Sequence, residues 1–283
     1  VAPPMPNLAE KIQDELTSAV SNDELELPTL PEVALRIRDE AENPNVSAQS
    51  LAKVIAEDPG LSGRMIKVAN SPMYRGAQTI EDLNMAISRM GVEFASNLAT
   101  GMAMEQMFQA TSDVIDRKLR QIWNHASAVA GISAVLARRF AGLRPDQASL
   151  AGLTHVIGVL PILSWAEDNS GMLGDSMTLD RVIDSIHPAL GTMILKSWEF
   201  PEEIAIVPSQ YTNFERTAPS ADYADVVMVA NLQTLIGSQH PHTQIDWSQI
   251  QAFHNLGIDP SPESESLADL AEELAAAKEA FKN

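Results

Sequence analysis

Three histidines are the residues of this chain best suited to chemistry. His125 lies in a segment, 116–141, that is predicted to be one long helix, and His155 lies in the next predicted helix, 146–168. His187 stands at the predicted start of a later helix. A short connection favours antiparallel packing of the first two helices, so His125 and His155 could face each other. Imidazoles that converge inside a helical bundle are typical of a metal site.

The residues beside these histidines do not include the carboxylates that such a metal site usually has. Metals that hydrolyse phosphate esters are held partly by Asp or Glu, which supply negative charge and can bridge two ions around a water. Val156 follows His155 directly, and no Asp or Glu lies near His125 in the sequence. Two interpretations remain: a metal with an altered ligand set, or buried core histidines held by hydrogen bonds. The missing carboxylates favour the second.

The elements that position the histidines are predicted to be helices throughout, which makes the fold class all-α, a multi-helix bundle without significant β-sheet. Val, Ile and aromatic residues do not alternate with polar ones, as half-buried strands require. Ser47 is a predicted N-cap, Thr79 and Asp82 have capping-box spacing, and Gly91 is a predicted C-cap. Pro161 predicts a bend or break. Helices are predicted over 31–43, 48–57, 61–69, 83–90, 92–108, 116–141, 146–168, 179–186, 188–198, 202–211 and 220–236.

Composition limits the classes of function. The 283 residues include no cysteine, which excludes disulfides, thiolate zinc sites and a cysteine nucleophile. The net charge of −19 repels phosphate backbones, so we expect no nucleic-acid partner. The longest apolar run, 151–166, is too short to span a bilayer, and no signal peptide is visible. We therefore expect a cytoplasmic protein without a membrane association.

Both ends of the chain carry an apolar stripe at helical spacing. The C-terminal stripe lies in an acidic segment and comprises Leu267, Leu270, Leu274, Ala277 and Phe281. The N-terminal stripe comprises Leu8, Ile12, Leu16 and Ala19. Each predicts a helix that docks on the core of its own chain, or alternatively one that dimerises or binds a partner.

The segment from Leu27 to Met104 closely resembles the N-terminal half of an HDOD domain. It reads LPTLPEVALRI, then LAKVIAEDPGLSGRMIKVANSPMYRG, then TIEDLNMAISRMG, with these motifs in the family's order. The remainder resembles the HD-like half more loosely, through His125, the stretch HVIGVL and the stretch HPALGTMILKSWEFPEEI. Together the resemblance extends to about Gly237.

This resemblance implies a fold related to the HD phosphohydrolases and a role as an output or scaffold module in bacterial signal transduction. Many members of the family have no established catalytic activity. The implied organisation has four parts: an N-terminal helix and lead-in (1–26), the HDOD N-terminal helical half (27–115), the HD-like helical half (116–240), and a linker with an acidic C-terminal helix (241–283).

The resemblance also assigns positions to an HD-type metal site. HD proteins bind metal through a His, a His-Asp pair and a later Asp. His125 matches the first His and His155 the second, whereas Val156 stands where the Asp of the pair belongs. Asn231, in the stretch VMVANLQ, stands about where the last Asp is expected. Both carboxylates of the implied ligand set are therefore replaced by uncharged residues.

Related cyclic-di-GMP phosphodiesterases add further histidines to this site. His187 matches one of them, but their later His-His pair falls at Gln210 and Tyr211 here. Three imidazoles alone supply too little negative charge for two divalent ions. We therefore predict no catalytic residue, no bound metal and no cofactor; if a metal binds, its ligands are His125, His155 and His187.

These observations predict a noncatalytic signalling module that acts through protein–protein contacts. Its expected partners are signalling proteins such as a kinase, a response regulator or a cyclic-di-GMP enzyme, and a homodimer is compatible with the terminal helices. The first alternative is a metal-dependent phosphohydrolase of HD type with altered ligands. The second is a sensor that binds a nucleotide or another small anion in the old HD cleft.

Overall fold

The computed structural model describes residues 8–22, 24–74, 76–169, 176–261 and 270–282. No strand occurs in these ranges, so the predicted all-α fold is confirmed. The helices, numbered in chain order, are α1 Leu8–Ser21, α2 Glu32–Glu42, α3 Ala48–Ile55, α4 Pro59–Ala69, α5 Leu83–Met90, α6 Val92–Ala103, α7 Asp113–Leu136, α8 Pro145–Thr154, α9 Val159–Asp168, α10 Ser176–Ser197, α11 Glu202–Ala205, α12 Val207–Gln210, α13 Tyr223–Leu235, α14 Gln251–Leu256 and α15 Ala271–Ala280. Short 3₁₀ turns cover Met104–Met107, Pro241–Gln244 and Trp247–Gln249, and a π turn, Ala137–Ala141, extends α7.

Side-chain caps fix several of the helix ends. Ser47 accepts a hydrogen bond from the backbone N–H of Ser50 in a reciprocal capping box, as predicted for α3. Gly91 ends α5 with a φ of 87°, which a residue without a Cβ adopts readily. The expected role of Thr79 was wrong, because Asp82 itself is the N-cap of α5. Asp58 is the N-cap of α4, and its side chain accepts from the backbone N–H of Leu61.

The helix predicted over 146–168 is two helices, α8 and α9, and the break lies at 155–158 rather than at Pro161. Pro161 sits in the first turn of α9, where its missing N–H has no intrahelical partner to lose. Gly158 lies against α10, since a Cβ added there would approach the carbonyl oxygen of His187 to 2.0 Å. The turn therefore brings His155 beside α10.

Pro188 does not separate two helices as predicted. It lies inside α10, which runs unbroken from Ser176 to Ser197. The missing N–H at Pro188 removes one backbone hydrogen bond. His187 directly before it and Leu190 two residues after it are buried, so packing holds this helix together across the proline.

One continuous hydrophobic core joins the segments of the chain. Its buried residues run from Ile12 in α1 to Phe281 after α15. Helix α6 of the N-terminal half packs on α8 of the HD-like half, and α1 packs on α10. At the α6–α8 contact, the side-chain amide of Asn97 donates to Asp146 at 2.7 Å. The four-part organisation stays a prediction, but its parts share this core.

The C-terminal helix α15 docks on α7. Leu274 and Ala277 are buried there, and Leu267 of the predicted stripe lies outside the described residues. Gly131 in α7 permits the close approach, because a Cβ at this position would lie 1.9 Å from the carbonyl oxygen of Ala277. Helix α15 thus packs against the helix that carries His125.

One segment, Pro145–Asp168, has the length and the apolar character of a membrane-spanning helix. However, 89% of the 18-residue apolar stretch in this segment is buried inside the bundle. A buried core helix of a globular protein can have the same length and apolar character. The apolar residues of α8 and α9 are therefore accounted for by packing within the fold.

Candidate functional site: a buried histidine cluster

The bundle brings five of the predicted site residues together. His125 projects from α7, His155 follows the last residue of α8, and His187 lies in α10. Tyr211 follows α12, and Asn231 lies in α13. The ring centres of His125 and His155 are 6.0 Å apart, and those of His155 and Tyr211 are 4.7 Å apart. We call this group the histidine cluster.

Glycines let the helices that carry the cluster approach closely. A Cβ on Gly152 in α8 would lie 2.5 Å from the Cα of Ala130 in α7. A Cβ on Gly191 in α10 would lie 2.6 Å from the side chain of Pro208 in α12. Real Cβ atoms do not tolerate such contacts with backbone atoms, so the absence of a side chain at Gly152 helps to set the separation of His125 and His155.

Backbone carbonyls hold two of the imidazoles in one tautomer. The Nδ1–H of His155 donates to the carbonyl oxygen of Gly152 at 2.6 Å, and the Nδ1–H of His187 donates to that of Ile183 at 2.6 Å. A carbonyl can only accept, so Nδ1 carries the proton in each ring. In the neutral form the Nε2 atoms of His155 and His187 therefore present lone pairs, as metal-binding histidines do.

Neighbouring uncharged side chains occupy two of the three Nε2 atoms. The hydroxyl of Tyr211 donates to Nε2 of His187 at 2.8 Å. The Nε2–H of His125 donates to Oδ1 of Asn231 at 2.7 Å. Nε2 of His155 is fully buried and has no hydrogen-bond partner among the described residues.

Burial keeps the cluster neutral. It is the main cause that lowers the pKa of His155 to about 3, and the nearby His125 lowers it further. Burial also lowers the pKa of His125, against the opposing hydrogen bond to Asn231, and lowers that of His187. All three imidazoles are thus uncharged at neutral pH.

Two of the implied site positions make no hydrogen bond to the cluster. Val156 is buried and belongs to the hydrophobic core. Gln210 is half-buried beside Tyr211 and does not contact the histidines by a hydrogen bond. Sequence reasoning missed Asp184, an exposed carboxylate one turn before His187, whose charge opposes the burial effect on the pKa of His187. Its spacing of three residues on a helix was the available signal.

The cluster offers a poor ligand set for a hydrolytic metal. Within the part of the chain that is described, no group of three or more His, Asp or Glu side chains is arranged to hold a metal ion. The partners that meet Nε2 of His125 and His187 are an amide and a phenol, which lack the charge that balances a divalent ion. The residues present therefore do not fit a two-metal centre.

The fold and the cluster define a class: an all-α bundle with the helix arrangement of the HD-like proteins. The chain matches the HDOD domain family over residues 27–213. It belongs to the HDOD domain family, and the resemblance of the segment that begins at Leu27 is confirmed. The region beyond residue 213, including Asn231 and α15, lies outside the matched range.

Several known proteins share this fold. A structure from Shewanella amazonensis SB2B, which carries the provisional name metal-dependent phosphohydrolase, is 28% identical, has a TM-score of 0.83, and aligns over 96% of this chain and 99% of its own. An HDOD domain protein of unknown function from Geobacter sulfurreducens is 21% identical, with a TM-score of 0.64, over 96% of this chain and 97% of its own. Its likeness shows the fold alone.

A curated protein from Treponema pallidum (strain Nichols), described as uncharacterised, is 24% identical over 204 residues. The match covers 67% of this chain but 38% of that protein. The chain thus spans well under half the length of this relative.

Proposed function

We propose that this protein is a noncatalytic output or scaffold module of signal transduction, which acts through protein–protein contacts. Membership of the HDOD domain family supports the signalling role. A further protein of this fold, from Marinobacter aquaeolei VT8, carries the provisional name signal transduction protein; it is 23% identical with a TM-score of 0.62. The partners that fit this role are a kinase, a response regulator or a cyclic-di-GMP enzyme in the cytoplasm.

The observation that carries the noncatalytic part of the proposal is the pairing of His125 with Asn231. Where an HD enzyme would place a metal between imidazole and carboxylate, this chain has a direct hydrogen bond of 2.7 Å between imidazole and amide. A direct bond leaves no room for an ion between the two atoms. The hydroxyl of the buried Tyr211 likewise bonds directly to Nε2 of His187 and leaves no room for an ion at that atom. The cluster therefore acts as a hydrogen-bonded part of the core.

A second candidate function is phosphoester hydrolysis with an altered metal site. The name and the 28% identity of the Shewanella amazonensis protein favour it. A third is sensing of a nucleotide or another small anion at the cluster, and the unpartnered Nε2 of His155 favours that. Both of these functions require the histidine cluster to become accessible to a substrate or ligand, because His155 and His187 are buried.

An assay of phosphodiester hydrolysis separates these functions. The full chain is incubated with Mn²⁺, Fe²⁺ or Zn²⁺ and with bis(p-nitrophenyl) phosphate or cyclic-di-GMP. We expect wild-type turnover at the level of the buffer blank. Metal-dependent turnover by the wild-type protein, lost in His155→Gln, would instead establish the hydrolase.

A double variant tests whether the missing carboxylates are the reason why the protein is expected to bind no metal. Val156→Asp with Asn231→Asp restores both implied ligands, and Val156→Asn with the native Asn231 is the uncharged control of nearly equal size. We expect the double variant to bind Mn²⁺ or Fe²⁺ and the control not to, with folding checked by circular dichroism. Equal metal binding by the wild type, the control and the double variant would contradict the explanation.

A further inference from the structure

A cavity of about 920 Å³ lies among α7, α13, α15 and the segment 243–248. None of the three histidines of the cluster lines it, and most of its walls come from residues beyond the matched family range. Its volume is that of a small-molecule site, for which roughly 300–1,000 Å³ is typical. Helix α15 forms one wall through Leu274 and Lys278.

The walls of this cavity are mainly apolar. They include Ile132, Ile236, Ile245 and the indole of Trp247. Ile236 is 60% exposed although it is a large aliphatic residue, so apolar surface here faces solvent. Such surface beside a cavity gains free energy when an apolar ligand covers it.

Trp247 is held as a rigid platform. Its ring stacks on Phe253 with ring centres 5.8 Å apart and an angle of 17° between the planes. Its indole N–H donates to the carbonyl oxygen of His242 at 2.9 Å. Because both contacts are internal, the ring is oriented before any ligand arrives, and little side-chain entropy is lost on binding.

Two hydrogen-bond donors at the cavity lack partners among the described residues. Nε2 of Gln233 is buried and unpaired, whereas Lys278 is half-buried and makes no ion pair with a described residue. A buried unpaired donor is costly, and an acceptor from a ligand would remove that cost. Two aspartates also line the cavity: Asp246 accepts from Ser248, and Asp259 accepts from the backbone N–H of Ser261. These hydrogen bonds lower the pKa of both carboxyl groups, so both stay ionised at neutral pH, and an acceptor on a ligand is expected beside Gln233 and Lys278 rather than beside them.

We propose that this cavity is a binding site for a small amphiphilic monocarboxylate. The apolar body of the ligand packs against Ile236, Ile245 and Trp247, and its carboxylate accepts hydrogen bonds from Gln233 and Lys278. The ligand touches α15, α7 and α13 together, so its binding strengthens the docking of α15 on α7. No histidine of the cluster lines this site, although the charge of Lys278 contributes to the lowered pKa of His125. The proposal does not rest on the proposed scaffold function.

A charge series of ten-carbon probes tests the proposal on the full chain. Decanoate, decanol and decyltrimethylammonium are titrated below their micelle-forming concentrations, with tryptophan fluorescence and isothermal calorimetry as readouts. We expect saturable binding at one site, with decanoate at least fivefold tighter than decanol and the cation weakest. The melting temperature should rise with decanoate concentration, because the ligand binds the folded state.

Variants identify the site. Lys278→Met and Gln233→Leu should each weaken decanoate binding at least fivefold and leave decanol binding within twofold. Lys53→Met, an exposed lysine in α3, is the matched control and should bind decanoate as the wild type does. Absence of saturable decanoate binding, equal or tighter binding of the cation, or decanoate binding that survives both cavity substitutions would overturn the proposal.

Discussion

Nε2 of His125 lies 2.7 Å from Oδ1 of Asn231, so an imidazole and an amide are bonded directly at two positions that the resemblance to HD proteins implies as metal ligands. The amide oxygen is an acceptor, which requires the proton of His125 to be on Nε2. A histidine in that tautomer has no lone pair on Nε2 for a metal. The hydrogen bond and metal binding at this atom therefore exclude each other.

Replacing Tyr211 by Phe should destabilise the fold by about 1–3 kcal/mol, because the buried Nε2 of His187 loses its hydrogen-bond donor. The phenyl ring keeps the edge contact with His155. The free energy of unfolding in urea measures the effect. Tyr74→Phe is the matched control, since Tyr74 packs against Phe94 away from the histidines, and it should change stability by less than half as much. Equal losses in the two variants would argue against the bond.

Acid should destabilise the protein through the buried imidazoles. The pKa of His155 in the unfolded chain is near the ordinary histidine value of 6.5, whereas burial lowers its pKa in the folded protein to about 3. Above pH 6.5 both states are neutral; as the pH falls towards 3, only the unfolded chain gains this proton, and stability decreases. His155 alone contributes about 1.4 kcal/mol per pH unit in this window.

Urea unfolding at pH 7.0, 6.0 and 5.0 measures this slope, over a range in which most carboxylates stay ionised. His155→Gln should reduce the slope between pH 6.0 and 5.0, whereas His254→Gln, at an exposed position, serves as the control. If the slopes of wild type and His155→Gln coincide, His155 is not held neutral in the folded protein.

Gly131→Ala should displace α15 from α7. The new Cβ would lie 1.9 Å from the carbonyl oxygen of Ala277, and overpacking of this kind costs about 1–3 kcal/mol. Hydrogen exchange should become faster in α15 and remain slow in α8. Gly63→Ala in α4, where the Cβ meets nothing within 4 Å, is the control and should stabilise by up to about 1 kcal/mol through helix propensity. Unchanged exchange in α15 would contradict the close packing described.

Local capping made some of the helix ends predictable. Ser47 and Gly91 act as expected because their signals depend on the nearest turn alone. Apart from the local choice of Asp82 over Thr79 as the N-cap of α5, the errors arise where tertiary contacts decide. Pro161 is accommodated in a first turn, and Pro188 is held inside α10 by packing, and neither outcome can be obtained from the local sequence.

The candidate site was partly predictable. The positions of His125, His155 and His187 could be inferred, because the resemblance aligns them with the HD ligands. Their partners could not, since the bonds to Asn231 and Tyr211 join residues 106 and 24 positions apart. The cavity beside Lys278 gave no sequence signal, because its walls come from five separated segments.

Metal stoichiometry tests the central claim most directly. The full chain is purified without chelators, incubated in turn with Mn²⁺, Fe²⁺ and Zn²⁺, desalted, and analysed by inductively coupled plasma mass spectrometry. We predict well below 0.1 metal ion per chain for the wild type, because amide and phenol groups occupy Nε2 of His125 and His187. One or two ions per chain, lost in both His125→Gln and His155→Gln, would contradict the account.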